Sequence, residues 1–150
     1  MGQSLAKNLI HLIFSTKDRR PLLDDVVRES LHAYIAGIFK EQDSPCLAIN
    51  FVADHVHVLF CLNKNAALAE VIMQAKKGAS RWMKTQGPRY ADFGWQNGYG
   101  AFSVSQSSVA NVRHYIANQA EHHRVVTFQE ELRAFLKRHE IEYDERYIWE

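Results

Sequence analysis

The chain has 150 residues and a formal net charge of +1. That length favours one domain, and a hydrophobic share of 47% against 23% charged residues is enough to bury a core. A balance so near neutral excludes a whole-chain electrostatic signature for nucleic acid, so any contact with a polyanion must come from locally arranged charge. Cys46 and Cys61 form no C-x-x-C pair and imply no disulfide framework, which points to a reducing cytoplasm. No signal-peptide pattern opens the sequence, and no apolar stretch is long enough for a bilayer, so no membrane partner is expected.

Leu9 to Ser15 is apolar, β-branched and aromatic, and reads as a strand that ends at Lys17-Asp18-Arg19-Arg20-Pro21. Asp24 or Asp25 is placed to cap a helix whose apolar positions are Val27, Leu31, Tyr34, Ile35 and Ile38. A turn follows around Asp43-Ser44-Pro45. Leu47 to Leu62 is strand-like and long enough for two strands with a turn near Ala53-Asp54. Leu68 to Met83 reads as a second helix, with Leu68, Ile72, Ala75, Ala79 and Trp82 on one side. Lys84 to Asn97 is loop-like, and Ala101 to Ser105 is a short strand. Ser107 or Ser108 can cap a third helix from about Val109 to His123. A last helix spans Phe128 to His139, before a charged and aromatic tail. Strands alternating with helices in so short a chain predict an α/β sandwich of the α+β class. A β-α-β-β-α-β order would be ferredoxin-like, although strand order is not fixed by sequence. The expected organisation is one domain over 1–150, with 124–150 as a C-terminal helical extension.

The first chemical signal is His55-Val56-His57. Residues i and i+2 of a strand share a face, so both imidazoles project together while Val56, Val58 and Phe60 face a core. Imidazole is a common metal ligand, and two on one face form half a site. Paired structural histidines are the plain alternative, but two imidazoles in an apolar strand cost desolvation unless something satisfies them.

The second signal is Tyr115-x-x-x-Gln119. Positions i and i+4 share a helix face, so a hydroxyl and an amide lie one turn apart, with Asn111 and His122 along the same polar stripe. Tyrosine can act as a covalent nucleophile at phosphorus if a base or metal assists it. The neutral oxygen of Gln119 suits a hard divalent ion as third ligand. Taken alone, the pair reads as amphipathic packing plus solvated surface.

His122 is the accessory candidate for moving a proton. His114, about 100° round the helix from Tyr115, should not share its face. His11, on the first strand, could lie near the site but reads more readily as a structural histidine. Asp54 could orient an imidazole, but it should face away from both if the strand is regular. No acidic residue occurs from Val71 to Ala91, where Lys76, Lys77 and Arg81 could track phosphates. Lys17, Arg19 and Arg20 form a second basic cluster, and Trp82 is assigned to packing.

Together, Asp54-His55-Val56-His57-Val58-Leu59 and His114-Tyr115-Ile116-Ala117-Asn118-Gln119 resemble the single-tyrosine HUH transposases. These are the TnpA-like enzymes of small bacterial insertion sequences, repeat-associated tyrosine transposases among them. His11 to Pro21 looks like that family's first strand and basic turn, and Gln74 to Ser80 like its second helix. The resemblance runs from about Lys7 to Gln119. It implies a ferredoxin-like antiparallel sheet of the HUH endonuclease type, working as a homodimer on single-stranded, hairpin-forming DNA. It also implies a Mg2+ or Mn2+ ion held by His55, His57 and Gln119, with Tyr115 as a nucleophile that forms a 5′-phosphotyrosine. Softer imidazole ligands suit manganese at least as well as magnesium. Two other classes stay open: a metal phosphoesterase without a covalent step, and a non-catalytic module that binds single-stranded nucleic acid.

Overall fold

In the computed structural model, which describes residues 2–150, strand β1 (Asn8–Ser15) opens a four-stranded antiparallel sheet. Helix α1 (Arg28–Glu41), strands β2 (Cys46–Val52) and β3 (His55–Leu62), helix α2 (Leu68–Met83) and strand β4 (Gly100–Val104) follow. The spatial order β2-β3-β1-β4 with every pairing antiparallel is the ferredoxin-like arrangement. Helices α3 (Val109–Ala117), α4 (Gln119–His122) and α5 (Phe128–Arg138) come after the sheet is complete. Among the described residues, no helix is long and apolar enough to cross a membrane.

Both faces of the sheet are covered, and strand alternation decides what each receives. Leu12, Phe14, Val56, Val58 and Phe60 point to one side, against Leu31, Ile35 and Phe39 of α1 and Ile72, Ala75 and Ala79 of α2. Leu9 and Leu59 point to the other, where Val109 and Ile116 of α3 pack. Ile13 and Phe102 meet Phe128, Phe135 and Leu136 of α5 on that same side. Gly78 lets α1 and α2 approach closely, since a Cβ there would lie 2.7 Å from the end of the Ile38 side chain.

The expected strand pair is present, with Ala53 and Asp54 as its turn, and α2 has the predicted bounds. Four local expectations are corrected. Neither Asp24 nor Asp25 caps α1 through its side chain; the Asp24 carboxylate accepts from the Tyr90 hydroxyl and from Arg89 Nε instead. Tyr34 is 40% exposed rather than core and stacks on Trp82. Ser108 precedes α3 without a side-chain capping bond; Ser107 and Ser108 both engage the Ser105 hydroxyl. The third helix is not continuous to His123 either. Asn118, at φ −101° and ψ 22°, leaves helical geometry and separates α3 from α4. Its amide donates to the His114 carbonyl at 2.8 Å, the local side-chain bonding by which Asn competes with a helix ladder.

Helix α5 has a stronger start. Thr127 accepts from the Glu130 backbone N–H at 3.1 Å and lies 3.1 Å from the Glu130 carboxylate, which satisfies a free helix donor. Its outer side is latched to the tail: Arg133 makes two bonds to Glu145, at 2.7 and 3.1 Å, and lies over the Trp149 ring.

Candidate metal and nucleophile site

Because α3, α4 and α5 cover the His55/His57 face, both imidazoles are buried, at 0% and 1% exposure. The ring nitrogens of His55, His57 and His123 converge with a carboxylate oxygen of Glu131, all four ligand atoms lying within 4.8 Å of one another. Glu131 Oε1 is 2.9 Å from His57 Nε2, 3.2 Å from His123 Nε2 and 3.4 Å from His55 Nε2. Its other oxygen accepts from the Tyr115 hydroxyl and lies 3.2 Å from His122 Nε2. One carboxylate thus joins the histidine pair of the sheet to the tyrosine of α3.

Proton bookkeeping shows what the cluster lacks. An ionised carboxylate or a carbonyl only accepts, so His55 Nδ1–H donates to Asp54 Oδ1 at 2.7 Å and His123 Nδ1–H donates to the Val126 carbonyl at 2.6 Å. In their neutral forms both rings then aim Nε2 lone pairs at each other, 3.0 Å apart, and at Glu131. That arrangement is repulsive unless a proton or a cation sits among the atoms. A three-nitrogen, one-carboxylate donor set suits a divalent transition ion. Gln119 adds a second mark. It is fully buried, its amide nitrogen donates to the Tyr115 carbonyl at 3.3 Å, and its Oε1 has no hydrogen-bond partner among the described residues. A buried amide oxygen without a partner is costly, and a cation or a donor from substrate would satisfy it.

The electrostatics follow from burial and these contacts. Burial by itself would raise the Glu131 pKa, but its contacts with the His123, His55 and His57 rings, which favour the carboxylate once a proton is shared among them, hold it well below the usual carboxylate range. Burial lowers His57 to about 4 against the opposing pull of Glu131. His55 is raised, because its bonds to Asp54 and Glu131 outweigh burial. Burial and the Glu131 contact push the Tyr115 hydroxyl upward. In this state the Tyr115 hydroxyl is protonated and donates to Glu131.

His55 and His57 share a buried face, and Tyr115, Gln119 and His122 come to the same region, with the Tyr115 hydroxyl 3.2 Å from His122 Nε2. His114 is exposed and contacts Asn118. Asp54 is corrected: it sits in the turn before β3, outside strand alternation, and so reaches back to His55. His11 lies near the site, with its Nε2 2.9 Å from His57 Nδ1. Sequence reasoning missed Glu131 and His123. The signal for Glu131 was a carboxylate on the apolar stripe Phe128, Glu131, Phe135 of an amphipathic helix. Among the basic residues, Lys17, Lys77 and Arg81 are exposed and Arg19 is half-buried. Arg20 pairs with Asp92 at 3.0 Å. The Lys76 ammonium donates to the Gln96 and Gly98 carbonyls at 2.8 and 2.7 Å, and burial lowers its pKa to about 8.

The chain resembles solved structures along most of its length. A candidate transposase from Deinococcus radiodurans R1 matches with a TM-score of 0.63 and 25% identity, over 79% of this chain and 96% of that one. A REP-associated tyrosine transposase bound to a REP hairpin matches in fold, with a TM-score of 0.63 and 14% identity, over 84% of this chain and 74% of that one. Curated proteins give no match. The family model described as IS200-like transposase matches residues 4–119, which include β1 to β4, both strand histidines and Tyr115. The chain belongs to the IS200-like transposase family.

Proposed function

We propose that this protein is a metal-dependent transposase that cuts and rejoins single-stranded DNA through a 5′-phosphotyrosine on Tyr115. The observation that carries the reading is the Tyr115 hydroxyl on Glu131, whose other oxygen touches His57 within the same chain. His55, His57 and Gln119 would hold a Mg2+ or Mn2+ ion, with Glu131 and His123 beside them. When bound, the ion supplies Lewis-acid stabilisation of charge on a phosphodiester. Tyr115 Oη attacks phosphorus, the P–O3′ bond breaks, and the departing oxygen takes a proton from solvent water to become a 3′-hydroxyl. The tyrosine proton passes to His122, since an imidazole is a stronger base than a carboxylate. A later 3′-hydroxyl displaces Tyr115 and rejoins the strand, so the cleaved bond's energy is conserved.

Lys17, Arg19, Arg20, Lys76, Lys77 and Arg81 form the proposed DNA contact set. Lys17, Lys77 and Arg81 are the most available, and Arg20 and Lys76 must first leave internal partners. A neighbour in fold is bound to a REP hairpin, which supports hairpin DNA as the substrate. A homodimer and a cytoplasmic setting complete the reading.

The test is incubation of the full chain with labelled single-stranded hairpin DNAs and Mn2+. The expected product is a denaturant-resistant protein–DNA adduct that maps to Tyr115 and disappears in Tyr115→Phe, while DNA binding remains. Cleavage that persists in Tyr115→Phe would overturn the covalent mechanism.

A further inference from the structure

His11 lies on β1 across from Leu59, diagonal to His57 in the β1–β3 register. It is 2% exposed, with Phe135 edge-on at 5.2 Å and Tyr115 at 6.1 Å between ring centroids. An apolar side chain would fill this place without the desolvation cost of an imidazole. The polar contact that recovers the cost is the 2.9 Å bond between His11 Nε2 and His57 Nδ1. A pocket of about 410 Å³, walled in part by Ser103, Ser105, Ser108 and His139, also borders His11. It is roomy and polar enough to hold water.

We propose that His11 is a positioning residue that fixes the His57 ring and selects Nε2 as the nitrogen offered to the metal. The proposal rests on the metal reading above. His57 Nε2 is the atom that faces Glu131. A neutral imidazole that gives its Nε2 lone pair to a cation carries its proton on Nδ1, so His11 Nε2 must accept that proton's hydrogen bond. His11 then carries its own proton on Nδ1. His55 is oriented in the same way by Asp54. Each strand ligand therefore has its own orienting partner, one a carboxylate and one an imidazole.

The test compares Mn2+ binding by the full chain in native, His11→Leu and His11→Gln forms, read from the electron paramagnetic resonance of free manganese. Leucine fills the space without an acceptor, and glutamine restores an acceptor oxygen. His11→Leu should weaken binding roughly ten- to hundredfold, and His11→Gln should recover most of that loss. In the native chain loaded with diamagnetic Zn2+, nitrogen–proton correlation should place the His57 proton on Nδ1, a readout that does not depend on either variant folding. Leucine binding within about twofold of native, glutamine as weak as leucine, or a His57 proton on Nε2 would each overturn the proposal. If the native chain takes up no manganese, the metal reading falls with it; native uptake unchanged by His11→Leu sinks this inference alone.

Discussion

At the scale of single residues, the site makes the metal-free protein acid-sensitive. His57 is lowered to about 4 and His11 to about 3, both by burial first, so the native state holds them neutral where the unfolded chain takes up protons near pH 6.5. Their contribution to stability is present above that value and is lost as pH falls toward 4. Glu131, lowered instead by its histidine partners, extends the loss below the ordinary carboxylate range. The raised His55 has the opposite sign, its contribution fading as pH rises through its folded value. The net expectation is a loss on the order of 3 kcal/mol between pH 6.5 and 4. Thermal unfolding in chelator should show it, and a melting temperature that is flat or rising toward acid would contradict it. The two strand histidines were legible because alternation along a strand is geometric. Asp54 was misread because the rule was extended one residue into a turn. Glu131 is 74 residues from His57, and its role became visible only when α5 packed on the sheet.

At the scale of elements, periodicity located α1 and α2 because each buries a stripe against the sheet, and the β2–β3 pair showed as one apolar run long enough for two strands and a turn. Capping was less legible, since a carboxylate near a helix start can be claimed by a distant partner, as Tyr90 and Arg89 claim Asp24. The break at Asn118 depended on one side chain returning to its own backbone. The start of α5 links an ordinary cap to the site. The Glu131 N–H donates to the Thr127 carbonyl at 3.0 Å, so the capped turn also sets the position of the carboxylate. Thr127→Ala should cost about 1 kcal/mol of stability and weaken Mn2+ binding as well. Calorimetric titration beside thermal melts separates the two effects; unchanged metal affinity would detach the cap from the site.

At the scale of the whole molecule, a metal that binds only the folded chain must stabilise it. At free Mn2+ about 100 times its dissociation constant the gain is about 2.7 kcal/mol, reversed by chelator and absent in His57→Ala. A melting temperature indifferent to Mn2+ would count against the proposed centre. On the proposed reading the sheet would supply two ligands and α3 the nucleophile, all within residues 4–119, whereas His122, His123 and Glu131 lie beyond that segment. The order of these parts along the chain has a consequence for biosynthesis. Every described strand leaves the ribosome before α5 does, so a nascent chain can pair its sheet while both strand histidines still lack Glu131. The converging set of His55, His57, His123 and Glu131 is therefore assembled only after the sheet that carries its first two members.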